Sequence, residues 1–182
     1  MKSAIFQAIL VVFGVVLAFA ANEWREAAAD RREAAEALAG IREELAANRA
    51  AAAASAAYHQ EKLALIGERQ AAGAALGVRD FPRGFISPAT LSTAAWTSAS
   101  ETGALAHLDY REIVRLSRLY DMQTVYQNQT LTAGGIIYQR MFDDGLSSIP
   151  ANGEGLAGFI ATFLYREQAL VEAYDAALKP DA

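Results

Sequence analysis

The chain has 182 residues, no cysteine, and 16 lysines and arginines against 21 acidic residues, for a net charge of −5. Without cysteine there are no disulfides, thiolate metal sites or cysteine nucleophiles. An acidic chain also lacks the basic footprint that nucleic-acid binding requires.

Ser3 to Asn22 carries no charged side chain. Twenty helical residues span about 30 Å, the thickness of a bilayer's hydrocarbon core. Few soluble core helices stay apolar on every face for that length. Residues 1–22 are therefore read as a transmembrane anchor, with Trp24 just beyond it at headgroup level. Ala18-Phe19-Ala20 before Ala21 has the small-x-small form of a cleavage site, but the segment preceding the apolar run is only Met1-Lys2, which favours an uncleaved signal-anchor. Gly14 and Ala18 are four residues apart, as are Ala4 and Ala8. Small residues at that spacing let helices approach closely in lipid, and Gln7 offers a polar group for an interhelical hydrogen bond. Gln7, Gly14 and Ala18 are the expected association face.

The flanking charges conflict. Arg25, Arg31 and Arg32 outnumber Lys2, which by the positive-inside rule would keep the body in the cytoplasm. Glu23, Glu26, Asp30, Glu33 and Glu36 make the same flank net negative, and long domains are exported largely regardless of charge. The expectation is a single pass in a bacterial inner membrane with a periplasmic soluble region.

Beyond the anchor, residues 23–76 read as a long alanine-rich amphipathic helix. Proline is absent, and only Gly40 and Gly67 interrupt good helix formers as far as Ala72. Trp24, Ala28, Arg31, Ala35, Leu38, Ile41, Leu45 and Asn48 recur at three- and four-residue steps. Residues 77–182 should form a helical bundle with helices near 88–100, 110–142 and 154–178. Gly77 to Ser87 reads as a linker, and Ser87-Pro88 as N-cap and first helical residue. Leu91, Ala95 and Trp96 should then face inward. Asp109 and Glu112 have capping-box spacing. Gly134-Gly135 marks a potential kink, and Asp143 to Gly153 a loop. From Leu156 to Leu178 the apolar residues form one broad face. The predicted fold class is all-α: a transmembrane helix continuous with a long amphipathic helix, packed with about three further helices.

Chemistry-bearing patterns are sparse. His59 and His107 each lack a second histidine at i+3 or i+4, so no helical metal site is expected. There is no Gly-x-Ser-x-Gly elbow and no phosphate-binding glycine loop. Tyrosines 110, 120, 126 and 138 suit core or rim positions better than a ligand pocket. No catalytic residue, cofactor or metal is expected, and the chain is not read as an enzyme.

Two stretches carry a resemblance. One is Ala20-Ala21-Asn22-Glu23-Trp24-Arg25-Glu26, followed by Ile41, Glu44-Leu45 and Asn48. The other is Ala95-Trp96, Thr102-Gly103-Ala104-Leu105, and Leu116-Ser117 with Tyr120 and Tyr126. Together they resemble uncharacterised bacterial proteins, a domain of unknown function, with an N-terminal membrane helix ending near an Asn-x-Trp and a helical remainder. The resemblance implies an N-terminus-in orientation and no mechanism.

The expected function is a non-enzymatic, single-pass structural or accessory protein. Its partners would be membrane lipid and either further copies of itself or a larger membrane protein complex. The alternative is an extracytoplasmic helical-bundle ligand-binding or sensor module signalling through a partner.

Overall fold

In the computed structural model, which describes residues 2–179 and the side chains of residue 10 and residues 12–179, α1 runs unbroken from Lys2 to Ala71. Seventy residues at 1.5 Å each make a rod of about 105 Å. No proline interrupts it, and Gly40 and Gly67 are carried through by good helix formers on either side.

Among the described residues, the rest of the chain covers mainly the second half of α1. Burial begins at Ala34 and continues through Ile41, Leu45, Asn48, Ala52, Ser55, His59, Lys62 and Ile66, at the three- and four-residue steps of a helix seam. The expected stripe therefore starts later than its sequence pattern. Ile41, Leu45 and Asn48 are buried, whereas Arg31 and Ala35 are exposed and Trp24 is 72% exposed. The bundle reaches down α1 to Asp30, whose carboxylate lies 3.6 Å from His107.

Four further helices build the bundle: α2 (Ala94–Thr102), α3 (Tyr110–Asp144), α4 (Ser148–Ala151) and α5 (Gly153–Leu178). No strand occurs among the described residues. The fold is all-α, as its composition and periodicity require. α5 packs along α1, and α3 packs on α5. The main core joins Ile41 and Leu45 of α1 to Leu116 and Tyr126 of α3 and to Phe163 and Leu170 of α5. A second cluster at the far end joins Ile66, Phe81, Phe85, Leu156 and Ile160. The segment read as a linker thus contributes two buried phenylalanines. Its turn depends on Gly84, at φ +95°, where a Cβ would lie 3.1 Å from the Ile86 carbonyl oxygen.

Three local expectations are corrected. The second helix begins at Ala94, not Pro88, and residues 86–93 form a strap without regular secondary structure. Asp109 does cap α3, accepting a hydrogen bond from the Arg111 N–H at 2.8 Å, but Glu112 pairs with Arg115 and closes no capping box. The loop expected from Asp143 to Gly153 contains the single-turn helix α4 around Pro150, while Gly134-Gly135 lie within α3, the helix in which they were expected.

Among the described residues no helix is long and apolar enough to cross a membrane. The expected anchor lies only partly within them, since the side chains of residues 1–9 and 11, Gln7 included, fall outside. Gly14 and Ala18 lie on the free part of α1, and a Cβ at Gly14 would meet nothing within 4 Å.

Candidate functional site

The polar side chains that face inward converge on the strap. The inner face of α1 carries Glu44, Asn48, Ser55 and His59 between its apolar residues, all buried. α3 contributes Tyr120, Gln123 and Tyr126, and α5 contributes Glu167, placed one turn from both Phe163 and Leu170 on its apolar face. A strap without secondary structure leaves its N–H and C=O groups without ladder or helix partners, and burial would make that costly. These side chains supply the partners.

The first centre is Glu167, at 0% exposure. Its Oε2 lies 2.7 Å from His59 Nδ1, and its Oε1 accepts from the Tyr126 hydroxyl at 2.7 Å. Ser55 Oγ sits 2.6 Å from the same Oε1 and 2.5 Å from the Ser87 carbonyl oxygen, so its one hydrogen serves either acceptor. Two strap amides close the centre: Ser87 N–H donates to His59 Nε2 at 3.0 Å, and Ala89 N–H donates to the Tyr126 hydroxyl at 2.7 Å. Because Nε2 accepts, the imidazole proton sits on Nδ1 and points at Glu167. Burial first, and then the Glu167 carboxylate, push the Tyr126 hydroxyl far up, so it remains a donor.

The second centre lies three residues past Ala89 along the strap, around Ser92. Asn48 pairs with the Ser92 backbone at two points, Nδ2 to O and N–H to Oδ1, both at 2.8 Å. Gln123 Nε2 adds a bond to the same carbonyl at 3.2 Å. Glu44 accepts from Ser92 Oγ at 2.6 Å, Tyr120 Oη at 2.7 Å and Ala95 N–H at 2.9 Å. Thr93, the N-cap residue of α2, makes no side-chain cap bond. Glu44 therefore caps α2 from another helix, its charge facing the positive end of the helix dipole. Burial pushes the Glu44 carboxyl up, but the Ser92 and Tyr120 hydroxyls and the Ala95 and Trp96 amides outweigh it and hold it below the usual carboxylate range.

That depression has a signed consequence. A carboxyl lower in the folded than in the unfolded state contributes stability that is complete above its unfolded value and lost as pH falls through the folded one. The stability difference between wild type and Glu44→Gln should be roughly 1–3 kcal/mol at neutral pH, typical of hydrogen bonds to a charged group. It should shrink as pH drops below the ordinary carboxylate range. Urea unfolding of both proteins across an acid series measures it.

The chemistry of these centres is that of a clamp. His59 has 0% exposure and both ring nitrogens engaged, so it offers no lone pair to a substrate. Lys62 is buried too, 2.7 Å from Glu61 and over the Tyr58 ring, which also carries Arg83 on 4.7 Å contact. Among the described residues no group of three or more His, Asp or Glu could hold a metal ion. The Tyr174 hydroxyl is buried with no hydrogen-bond partner among the described residues.

The residues singled out in the sequence fall elsewhere or divide. Gly14, Ala18 and Trp24 lie on the free part of α1, away from both centres. Tyr120 and Tyr126 are clamp residues, whereas Tyr110 and Tyr138 are exposed. His59 belongs to the clamp, and His107 sits at the surface beside Asp30. Glu167, Ser55 and Gln123 were not singled out. Their signal is positional: each is a polar residue at the helical spacing of its neighbours on a buried apolar face. Comparison with family models, with characterised proteins and with solved structures finds no match.

Proposed function

We propose that this chain is a non-enzymatic, single-pass membrane protein that acts as a structural or accessory component and, through α1, self-assembles or attaches to a larger membrane complex. The supporting observation is the face of α1 turned away from the bundle. Ala39, Ala46, Ala47, Ala50, Ala54, Ala57 and Ala64 are exposed there. Gly14 precedes Ala50 by 36 residues and Ala18 precedes Ala54 by the same number, ten turns of an α-helix. The small residues of the anchor thus continue, in register, the small-residue face above it. A long helix face lined by alanine buries little area alone but admits a second helix at short range.

The membrane reading counts the whole uncharged stretch Ser3–Asn22, of which the described side chains form only the C-terminal part. There Leu10, Val12, Phe13, Val15, Val16, Leu17 and Phe19 are 49–68% exposed and distributed around the whole helix. Apolar side chains on every face with no protein over them suit lipid. The inner-membrane location and periplasmic body belong to the same proposal and rest on the flanking residues. The clamp favours this reading over a sensor or an enzyme, because the convergent polar groups are engaged with the chain's own backbone.

The test is oligomeric state in mild detergent, by size exclusion with light scattering. Wild type should be an oligomer or copurify with a partner. Gly14→Leu with Ala18→Leu, and separately Ala50→Glu with Ala54→Glu, should each reduce its size. A monodisperse wild-type monomer with no copurifying protein would sink the proposal.

A further inference from the structure

The His59 ring is enclosed by four parts of the chain. Glu167 faces it from α5, and Tyr126 of α3 holds the other oxygen of that carboxylate; Tyr58, with Lys62 over its ring, flanks it on α1, and Ser87 closes over it from the strap. Arg83 lies over Tyr58 just before the strap, and the Phe163 ring is 5.7 Å away. Within this enclosure the imidazole has one donor role, toward Glu167, and one acceptor role, toward the Ser87 amide. The acceptor role exists only in the neutral ring, since a protonated imidazole donates from both nitrogens. A proton added at Nε2 would confront the Ser87 N–H at 3.0 Å with a second hydrogen and no lone pair between them.

We propose that His59 makes the first half of the strap a proton-sensitive latch, closed over the neutral imidazole and released when the ring is protonated. Glu167 keeps the Nδ1 bond in either state, so the imidazolium is held in place and Ser87 is the group that must leave. The second half of the strap is held differently. Ser92 is fixed by the side-chain amides of Asn48 and Gln123, which do not titrate, and by Glu44, whose carboxyl stays ionised into acid. Release is therefore confined to the residues before Ser92. This inference is independent of the membrane reading.

Hydrogen exchange on the full chain in mild detergent tests it, with rates normalised to the intrinsic exchange at each pH. Between about pH 7.5 and about pH 5, the range in which imidazoles ordinarily titrate, protection at Ser87 and Ala89 should fall at least roughly tenfold while protection at Ser92 holds. His59→Gln carries no titrating ring and should show no such pH dependence. The comparison of Ser87 with Ser92 in wild type stands alone if that variant does not fold. Unchanged protection at Ser87, as expected if Glu167 takes the proton instead, would overturn the latch. So would equal loss at Ser87 and Ser92, which reports general loosening of the bundle.

Discussion

Glu167→Ala should destabilise the bundle by about 3–5 kcal/mol, the range found when one partner of a buried polar centre is removed. The loss has two parts. The Tyr126 hydroxyl and the His59 Nδ1–H would face an acceptor that is gone, and the Ser55 hydroxyl would keep only the Ser87 carbonyl. The truncated side chain would also leave a void where exposure is 0%. Glu167→Gln separates them: it keeps the volume and one acceptor oxygen but places an NH2 against a donor, so an intermediate loss is expected. Tyr174→Phe supplies the contrast, because its hydroxyl has no partner among the described residues and its removal should be nearly neutral. Denaturant unfolding of the three variants orders them, and a Glu167→Ala loss no greater than that of Tyr174→Phe would refute the clamp as a stabilising element.

Phe163→Ala should have a comparable effect by a different route. The ring is at 0% exposure, 5.7 Å from His59, 6.1 Å from Tyr126 and 5.7 Å from Phe159 between centroids. A buried phenylalanine truncated to alanine typically costs about 3–5 kcal/mol, or roughly 10 °C in Tm for a domain of this size. Because Phe163 also sets the positions of His59 and Tyr126, the two substitutions share neighbours and should not add. The double variant Glu167→Ala with Phe163→Ala should lose less than the sum of the singles. Strict additivity in thermal unfolding would mean that the ring and the carboxylate act independently.

Where structure depends on neighbours in sequence, the sequence revealed it. The continuity of α1 follows from alanine content and the missing proline, and α5 from apolar residues at Leu156, Ile160, Phe163, Leu170 and Tyr174. The strap was illegible for the opposite reason. Ser87-Pro88 satisfies every local rule for a helix start, yet its backbone bonds run to His59 and Ser55, and those of Ala89 and Ser92 to Tyr126 and Asn48. Partners 28 to 44 residues distant outcompete the intrahelical bonds that the local pattern favours. His59 illustrates the same limit. Judged by adjacent spacing it lacks metal partners, while its actual partner, Glu167, is 108 residues away. Glu167 itself could have been noticed as the one acid set squarely in the apolar face of α5. A carboxylate in that position needs donors from elsewhere in the fold.

The strap is gripped by its main chain, and this divides the sequence into two classes under random change. At 87 and 89 most side chains leave the gripping N–H groups intact, so these letters are free to drift, with proline alone barred for want of a hydrogen, whereas Ser92 also gives its hydroxyl to Glu44. The gripping residues have no such freedom: Glu44, Asn48, Ser55, His59, Tyr126 and Glu167 act through their side-chain atoms, and several share one acceptor. Descendants of this chain should therefore keep or exchange those six together while the segment they hold loses its recognisable spelling. An alignment anchored on residues 86–93 would go astray where one anchored on the helices would succeed.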